Sequence, residues 1–364
     1  MKVALVSPYA LSVFGGVQEQ VLGMSRSLSA RGHEVLVVAP NNEDRASYDT
    51  PAPVLRVGEM TSVPANGSRA PLALSKSASA EVARALAEFH PDVVHLHEPF
   101  APRFGWETLR THSFPVVGTF HRSGVSTVMR LASPYLRRMA RQLDASVAVS
   151  DEAARTANLT YKIEPIVLFN GFELERFRTP ARVVPSEPTL ISIGRLEERK
   201  GASVAIEAVL AHNERPGVTP WRLLVVGSGP QEDALRTRYR DPAISFRGSV
   251  SDEEKRRLLR QSSVSISPAL RGESFGLVLL EAMAAEIPVV ASDIAGYAAA
   301  AQQHAHLFVP GDAADLERAV AQALLATEGF LTAASEHAQT WSMAKLVEEY
   351  ESIYESVQRG FSSR

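Results

Sequence analysis

Residues 1–40 combine a short β-rich run, a glycine-containing loop, a helical pattern and a second apolar run, and this order constrains the fold most strongly. The runs at 2–7 and 34–39 are typical of strands buried on both faces of a sheet. Between them, apolar residues recur at helical spacing over 17–30. A strand, a crossover helix and a second strand form a βαβ unit, which predicts parallel strand pairing.

The same alternation continues in two series of candidate strands. The first series continues at 93–97, 116–120 and 146–150, and the second lies at 189–193, 221–226, 245–247, 264–267 and 288–291. Residues 179–188 between them hold three prolines, which predicts a linker. Strands that alternate with helices in two blocks predict two doubly wound α/β domains, with ligands at the carboxyl ends of the strands.

Composition narrows the functional classes. The chain of 364 residues has 38 Lys and Arg against 41 Asp and Glu, and this net charge of −3 argues against a dedicated nucleic-acid binder. It has no cysteine, which excludes disulfides, thiolate catalysis and Cys-zinc sites. No apolar run reaches the roughly 20 residues that span a bilayer, and the N-terminus lacks the pattern of a secretory signal. A cytoplasmic setting is therefore expected, with contact to a membrane surface left open.

Glycine turns follow two of the candidate strands. A dinucleotide fingerprint requires G-x-G-x-x-G at the start of a helix, and neither Gly15-Gly16 nor Gly227-Ser228-Gly229 supplies the third glycine. A nicotinamide or flavin cofactor is therefore not expected. Gly227 and Gly229 are equally compatible with tight turns, whereas Gly15 and Gly16 allow backbone N–H groups to approach an anion at a helix N-terminus.

The segment 271–285 carries two carboxylates in unusual settings. Glu281 falls within a helix, predicted for 275–285, that is apolar nearly all round, and a buried carboxylate requires a partner. Glu273 precedes this helix, where free N–H groups and the positive end of the helix dipole lie. A phosphate and a ribose would fit these positions, and a helix cap and a structural ion pair are the alternatives.

A basic turn follows the first strand of the second series. Arg195 lies at the carboxyl end of this strand, and Arg199 and Lys200 come shortly after it. Cations at this position can neutralise a diphosphate leaving group, whose negative charge grows as its bond breaks. The alternative is a solvated turn in which Glu197 and Glu198 balance the charge.

These motifs together resemble the retaining glycosyltransferases of family 4. The second half of the chain supplies Gly-Arg-x(4)-Lys-Gly at 194–201 and Glu-Ser-Phe-Gly-x(4)-Glu-Ala at 273–282. The first half supplies Pro8-Tyr9, Gly15-Gly16-Val17-Gln18, Arg31-Gly32-His33-Glu34-Val35, His95-Leu96-His97-Glu98-Pro99 and Gly118-Thr119-Phe120-His121. The resemblance covers nearly the whole chain and is closest to the actinobacterial phosphatidylinositol α-mannosyltransferases.

The resemblance implies the GT-B fold, in which two Rossmann-like domains face a central cleft. An acceptor-binding domain is expected over 1–178 and a nucleotide-sugar-binding domain over 179–340, with a helix over 341–364 that packs back on the first domain. The implied reaction transfers a hexose to a phosphatidylinositol-type lipid at the cytoplasmic membrane face, with mannose from GDP-mannose as the expected donor and with retention of configuration. No tightly bound cofactor and no metal ligand are expected.

The site residues that the resemblance implies come from both domains. It assigns catalysis to His121, Arg195, Lys200 and Glu273. It assigns donor binding to Gly16, Arg195, Lys200, Glu273, Ser274, Phe275, Gly276 and Glu281. It assigns acceptor binding to Tyr9, Gln18 and Arg69. His121 is expected to hydrogen-bond the transferred sugar, and Glu281 is expected to bind the ribose of the nucleotide.

A run of positive charge could supply contact with lipid. Six arginines and no acidic residue occur over 108–143. Those expected to form an anion-binding patch are Arg130, Arg137, Arg138 and Arg141. Each cation near an anionic leaflet contributes about 1 kcal/mol, so the patch could meet phospholipid or an inositol phosphate. A solvated or ion-paired helix face is the alternative.

Two other functions remain open from the sequence. Residues 75–87 hold only Lys76 and Arg84 as cations, where the phosphatidylinositol enzymes carry a strongly basic helix. A soluble or polysaccharide acceptor with another nucleotide sugar is therefore an alternative. A metal-dependent hydrolase is the second, because His95 and His97 share one strand face and His121 on another strand could complete a His₃ zinc site.

Overall fold

A computed structural model of the chain describes residues 1–12, 15–41, 48–65, 68–73, 76–101, 108–109, 113–122, 124, 127–178, 185–273 and 275–363. At 59–65, 68–73, 76–79 and 127–131 it describes the backbone alone. The chain divides into two compact units, the first formed by Met1–Gly171 with Met343–Arg364 and the second by Phe172–Ser342.

The first unit is built on a mainly parallel sheet. Its strands are β1 (Lys2–Val6), β2 (Glu34–Asn41), β3 (Val54–Ala65), β4 (Ser68–Ala73), β5 (Val93–His97), β6 (Val116–Phe120), β7 (Ala145–Ala148) and β8 (Ile166–Val167). Their order is β4-β3-β2-β1-β5-β6-β7-β8, and the β3–β4 pair is antiparallel. Because β1 pairs with both β2 and β5, the strand order reverses there, and the loops after β1 and β5 diverge to leave space for a ligand.

The second unit repeats this design with a parallel sheet. Its strands are β9 (Thr189–Ile193), β10 (Arg222–Val226), β11 (Ile244–Gly248), β12 (Val264–Ser267), β13 (Val289–Ser292) and β14 (His306–Phe308). Their order is β11-β10-β9-β12-β13-β14, and the strand order reverses between β9 and β12. The predicted α/β fold with two doubly wound, mainly parallel sheets is confirmed.

Helices connect the strands of both sheets. In chain order they are α1 (Gly16–Ala30), α2 (Lys76–Phe89), α3 (Thr127–Ala140), α4 (Asp151–Tyr161), α5 (Leu174–Phe177), α6 (Ala202–Asn213), α7 (Glu232–Arg238), α8 (Asp252–Arg260), α9 (Leu277–Ala284), α10 (Ala295–Ala301), α11 (Ala313–Ala323), α12 (Glu328–Gln339) and α13 (Met343–Ser362). A 3-10 turn, Glu198–Lys200, precedes α6.

Alternation along β1 separates the two cores of the first unit. Val3 and Leu5 pack with α1 and α13, whereas Ala4 and Val6 pack on the opposite face with α2, α3 and α4. The terminal helix α13 is therefore part of the first unit, and its Tyr354 is fully buried against the sheet. Burying side chains of this size contributes roughly 1.5–3 kcal/mol each, which holds the terminal helix in place.

The chain passes into the second unit after Gly171 and returns to the first after Ser342, whereas boundaries at 178 and 340 were predicted from the sequence. The difference has a local cause. The Phe172 N–H donates to Trp341 O at 3.2 Å, and α5 packs on α9, so both segments belong to the second unit. The prolines of the predicted linker thus follow the change of unit instead of marking it.

Candidate active site

The loops after β9 and β12 lie side by side in the second unit. The Leu270 N–H donates to Arg199 O at 2.7 Å, which ties the basic turn to the loop after β12. Gly201 has a φ of 67°, and a Cβ there would overlap Pro268 O, so this close approach requires glycine. Gly227 and Gly229 likewise pack against the backbone of 194–196, which is the role of tight-turn glycines.

A cluster of ion pairs forms where these two loops meet. Glu273 Oε1 lies 2.6 Å from Arg199 Nη1 and 2.7 Å from Lys200 Nζ. Glu197 bridges Arg195 and Arg199, with each ion pair at 3.0 Å. We call these five residues the cation cluster. Its cations outnumber its carboxylates, so an anionic ligand would improve its charge balance.

The structure therefore brings Arg195, Lys200 and Glu273 into one cluster. Glu273 is the most shielded of the three, with 14% of its side chain exposed, and Arg195 is the most open, with 56% exposed. Arg199 was recognised in the sequence as part of the basic turn but had no predicted role, and Glu197 was interpreted only as a balancing charge. The useful signal was the adjacency of opposite charges at a strand end, where ligands bind.

The rest of the loop leads into α9. Phe275 is buried against Trp341, with the ring centroids 4.8 Å apart, so its side chain is part of the core. Gly276 precedes α9 and lies against the ring of Tyr297, where a Cβ would approach Cδ1 to 2.7 Å. In the first turn of α9, the Leu279 N–H donates to Gly276 O at 2.9 Å. Ser274 lies outside the described residues.

Glu281 has the partner that its buried position requires. Its Oε1 lies 3.2 Å from Lys255 Nζ of α8, and both side chains are about equally buried, at 13% and 12% exposed. Burial raises the pKa of Glu281, and the Lys255 ammonium opposes that rise. The partner was missed in the sequence because no spacing rule connects residues on two separate helices.

In the first unit, the loop after β1 leads to α1. Gln18 is buried and its Nε2 donates to Ala10 O at 3.4 Å, and a Cβ at Gly15 would collide with this side chain. A Cβ at Gly16 would meet open space, so its backbone can be approached from outside. Burial raises the pKa of the Tyr9 phenol, with the Glu98 carboxylate adding to the rise.

His121 follows β6 and is held by two contacts. Its backbone N–H donates to Glu98 Oε1 at 2.7 Å, and its Nε2 lies 3.0 Å from His97 Nδ1. Glu98 adopts a left-handed φ of 47°, which turns the chain after β5 towards the end of β6. Burial lowers the pKa of His121 to about 3, so the ring is neutral near pH 7.

The histidines form a hydrogen-bonded stack instead of a metal site. Both ring nitrogens of His95 have hydrogen-bond partners at 2.7 Å, the hydroxyl groups of Tyr354 and Thr119. Among the residues that the structure describes, no group of three or more His, Cys, Asp or Glu side chains could hold a metal ion. The interpretation of His95, His97 and His121 as a hydrolase zinc site is therefore wrong.

The predicted anion-binding patch is only partly described. Arg138 and Arg141 are exposed, whereas Arg137 is half-buried and its Nε donates to Thr160 O at 3.1 Å. The side chains of Arg130 and Arg69 lie outside the described residues. Among the helices that the structure describes, none is both long enough and apolar enough to span a bilayer.

Comparison with known proteins places the chain in a family. It matches the family models for Glycosyl transferases group 1 over residues 187–326 and for Glycosyltransferase Family 4 over residues 14–176. A glycosyltransferase of Rickettsia africae has a similar fold, with a TM-score of 0.74, 18% identity and 98% of each chain covered. The chain belongs to glycosyltransferase family 4, as the motifs indicated, and is a glycosyltransferase.

Two curated relatives with a more specific name are similar over almost their full length. The phosphatidyl-myo-inositol mannosyltransferase of Mycobacterium leprae is 32% identical, with 98% of this chain and 97% of the relative covered. The protein of the same name from Mycolicibacterium smegmatis is 34% identical, with 97% of this chain and 94% of the relative covered.

Proposed function

We propose that this glycosyltransferase transfers mannose from GDP-mannose to a phosphatidylinositol-type lipid, with retention of anomeric configuration. The observation that carries the proposal is the similarity to two phosphatidyl-myo-inositol mannosyltransferases, at 32% and 34% identity over nearly the whole chain. The proposed location is the cytoplasmic face of the membrane, where the protein would bind as a peripheral protein. No tightly bound cofactor is part of the proposal.

The cation cluster is the proposed site for the donor diphosphate. Arg195 can form a planar fork for phosphate oxygens, and Lys200 adds a point charge next to it. Glu273 accepts ion pairs from Lys200 and Arg199, which fix its carboxylate in one orientation. We assign to Glu273 a contact with the hydroxyl groups of the sugar, and to the backbone of 274–276 a contact with the phosphates.

The proposed reaction needs no protein nucleophile. The bond between the anomeric carbon and the phosphate oxygen breaks, and the nucleoside diphosphate leaves with the electron pair. The acceptor hydroxyl attacks the same face of the sugar, and its proton passes to the leaving phosphate oxygen. Arg195 and Lys200 neutralise the charge that grows on this oxygen, so catalysis depends on leaving-group stabilisation and positioning.

Further roles follow from the motifs and the local contacts. We assign the nucleotide ribose to Glu281. Its Oε1 pairs with Lys255, and its second oxygen, which has no hydrogen-bond partner among the described residues, can accept from a hydroxyl. In the first unit, the open space at Gly16 suits an approach of phosphate, and His121 is assigned a hydrogen bond to the transferred sugar. Acceptor binding is assigned to Tyr9, Gln18 and Arg69.

The exposed end of α3 is the proposed contact with lipid. Arg138 and Arg141 are exposed there, and Tyr135 is 48% exposed one turn earlier. An aromatic ring with a polar tip suits the boundary between headgroups and acyl chains, and arginines attract anionic headgroups. We therefore propose that this end of the helix binds an anionic phospholipid surface.

An assay of donors against acceptors tests the proposal. Purified protein is offered GDP-mannose, UDP-glucose or ADP-glucose, each with phosphatidylinositol vesicles, phosphatidylglycerol vesicles or free inositol phosphate. We expect turnover with GDP-mannose and phosphatidylinositol alone, and an α-linked product by NMR of the anomeric proton. Turnover of a soluble acceptor in the absence of lipid would overturn the acceptor assignment, and preference for another nucleotide sugar would overturn the donor assignment.

A further inference from the structure

The two histidines nearest the proposed sugar contact share a single hydrogen bond. His97 Nδ1 and His121 Nε2 lie 3.0 Å apart, and the rings stack with centroids 5.3 Å apart. His97 is 2% exposed, and its second ring nitrogen, Nε2, is buried without a partner among the described residues. Within the same described part of the chain, no side chain or backbone group bonds to His121 Nδ1.

Burial makes this arrangement selective for one tautomer. The pKa of His97 is well below its ordinary range and that of His121 is lowered to about 3, so each neutral ring carries one N–H. If His121 Nε2 carried the hydrogen, the N–H of His97 would sit at its buried Nε2 without an acceptor. If His97 Nδ1 carries it, the buried atom is a bare nitrogen, and buried unpaired N–H groups are the rarer and more costly case.

The next ring of the stack holds His97 in this orientation. His95 lies 4.4 Å from His97 between ring centroids, and its two nitrogens bond to Tyr354 and Thr119. Thr119 also bonds to the hydroxyl of Tyr350 at 2.8 Å. The terminal helix α13, which carries both tyrosines, therefore anchors the stack at the end opposite His121.

We propose that His97 is a positioning residue that keeps His121 as its Nδ1–H tautomer, so that His121 meets an oxygen of the transferred sugar as a hydrogen-bond donor and not as a base. The inference rests on the proposed contact between His121 and the sugar. The inference gives the His-x-His pair on β5 a function: His95 holds the orientation of His97, and His97 sets the tautomer of His121.

The tautomer can be measured without any substrate. Protein labelled with ¹⁵N-histidine gives long-range ¹H–¹⁵N correlations that show which ring nitrogen carries the hydrogen, and the signals missing in His121→Asn identify His121. We expect Nδ1 protonated and Nε2 bare at pH 7.5. A protonated Nε2 on His121 would overturn the inference. His90→Asn, which removes an exposed histidine, is the matched control and should leave the His121 signals unchanged.

Variants at His97 supply the second readout. In His97→Leu the constraint is lost, so the His121 ring should populate both tautomers, and kcat should fall about tenfold, the value of one hydrogen bond. His97→Asn keeps a donor at the position of Nδ1 and should restore the Nδ1–H tautomer and most of kcat. A purely structural role predicts equal losses in both variants, and this result, or an unchanged tautomer in His97→Leu, would contradict the inference.

The two readouts separate this inference from the proposed function. The tautomer of the wild-type ring decides the inference even if His97→Leu fails to fold. Absence of transfer to phosphatidylinositol together with an Nδ1–H tautomer would instead count against the proposed acceptor and leave the histidine arrangement standing.

Discussion

Both units place polar side chains near the carboxyl ends of the strands of a doubly wound sheet, but these side chains are ionic in the second unit and neutral in the first. In the second unit the cation cluster and the Lys255–Glu281 pair are ionic, with separations of 2.6–3.2 Å. In the first unit His95 and His97 are buried and His121 is half-buried, and desolvation lowers the pKa of each, so the three rings are neutral. This region of the sheet thus carries ion pairs in the second unit and hydrogen-bonded neutral rings in the first.

This difference matches the two kinds of group that a glycosyltransferase must bind. A diphosphate leaving group is anionic and gains charge during the reaction, so cations stabilise its departure. Sugar and acceptor hydroxyls are neutral, and they are best recognised by oriented donors and acceptors that keep one protonation state. Removing charge in the second unit and changing protonation in the first should therefore have different effects on turnover and stability.

The largest effect is expected from removing charge in the cation cluster. Lys200→Ala or Glu273→Ala should lower kcat by a factor on the order of 10²–10³, the scale of losing one charge-stabilising group. Lys200 and Glu273 form an ion pair at 2.7 Å, so the double variant should lose less than the product of the two single losses. Steady-state turnover with saturating donor measures both effects.

A lysine on α13 supplies the control for this experiment. Lys345 is 62% exposed and forms a surface ion pair with Glu348 at 2.9 Å, so Lys345→Ala should keep wild-type turnover. If Lys200→Ala also kept near wild-type turnover, the cation cluster would not be the site of the leaving group.

The second-largest effect is expected on the stability of the first unit, which should fall as the pH is lowered. Its buried histidines have folded-state pKa values below the ordinary 6.5, so the unfolded chain takes up protons first as the pH falls. Their stability contribution is therefore complete above pH 6.5 and is lost towards pH 3, by up to about 1.4 kcal/mol per histidine per pH unit. The raised pKa of Glu98 acts in the opposite direction, because its contribution is lost as the pH rises.

Urea unfolding between pH 7.5 and 5 measures this loss, with hydrogen exchange at β5 and β6 to locate it. The slope of the free energy of unfolding against pH gives the number of protons taken up on unfolding. His97→Asn should lower this number by about one, whereas His90→Asn, at an exposed position, should leave it unchanged. A first unit whose unfolding midpoint is constant over this range would show that these rings are not held neutral by burial.

Much of the fold followed from the sequence because strands and turns are local features. The apolar runs identified β1, β2, β5, β6, β7 and β9 to β13, whereas β8 and β14 were not predicted. The end of a strand located Arg195, the start of a helix located Glu273, and the role of His121 came from the resemblance to a family. The antiparallel β3–β4 hairpin was missed. Its signal was the Asn66-Gly67 pair, a dipeptide that favours two-residue hairpins.

Contacts between distant parts of the chain could not be predicted in this way. The need of Glu281 for a partner was predicted from its apolar helix, but Lys255 lies on another helix with no fixed spacing to it. The hydroxyl of Tyr354 bonds to His95 across 259 positions of sequence. Period and spacing describe one element at a time, so they identify a group that requires a partner without identifying the partner.

A smaller effect, on donor affinity, is expected from the ion pair between Lys255 and Glu281. In Lys255→Met, Glu281 loses the ammonium that opposes the effect of burial, so its pKa should rise further. A protonated carboxyl is a poorer acceptor for ribose hydroxyls, and a hydrogen bond to a charged group contributes roughly 1.5–3 kcal/mol. Donor affinity at pH 7 should therefore fall on the order of tenfold and recover as the pH rises, which calorimetric titration can measure.

Lys255→Arg keeps the positive charge and is the matched control, with donor affinity close to that of the wild type at each pH. A loss in Lys255→Met that is the same at pH 6 and pH 8.5 would mean that the lysine acts by packing against Phe177, whose ring lies 5.1 Å from its ammonium, and not by holding Glu281 ionised.

The smallest effect per residue is expected on vesicle binding, from the exposed arginines at the end of α3 in the first unit. Arg138 and Arg141 are exposed, and each should contribute about 1 kcal/mol to binding of an anionic leaflet. Replacing both with Ser should weaken binding to phosphatidylinositol vesicles by about 30-fold. Sedimentation of protein with vesicles at low and moderate salt measures the loss.

A second double variant distinguishes the position of the charges on the surface from the net charge of the protein. Lys345→Ser with Arg359→Ser removes the same number of charges from exposed sites on α13, at 62% and 73% exposure, and should leave vesicle binding nearly unchanged. Equal losses in the two double variants would mean that lipid senses only the total charge of the protein. A loss confined to the α3 pair would mean that the first unit, neutral at its buried histidines, uses surface cations to reach the membrane.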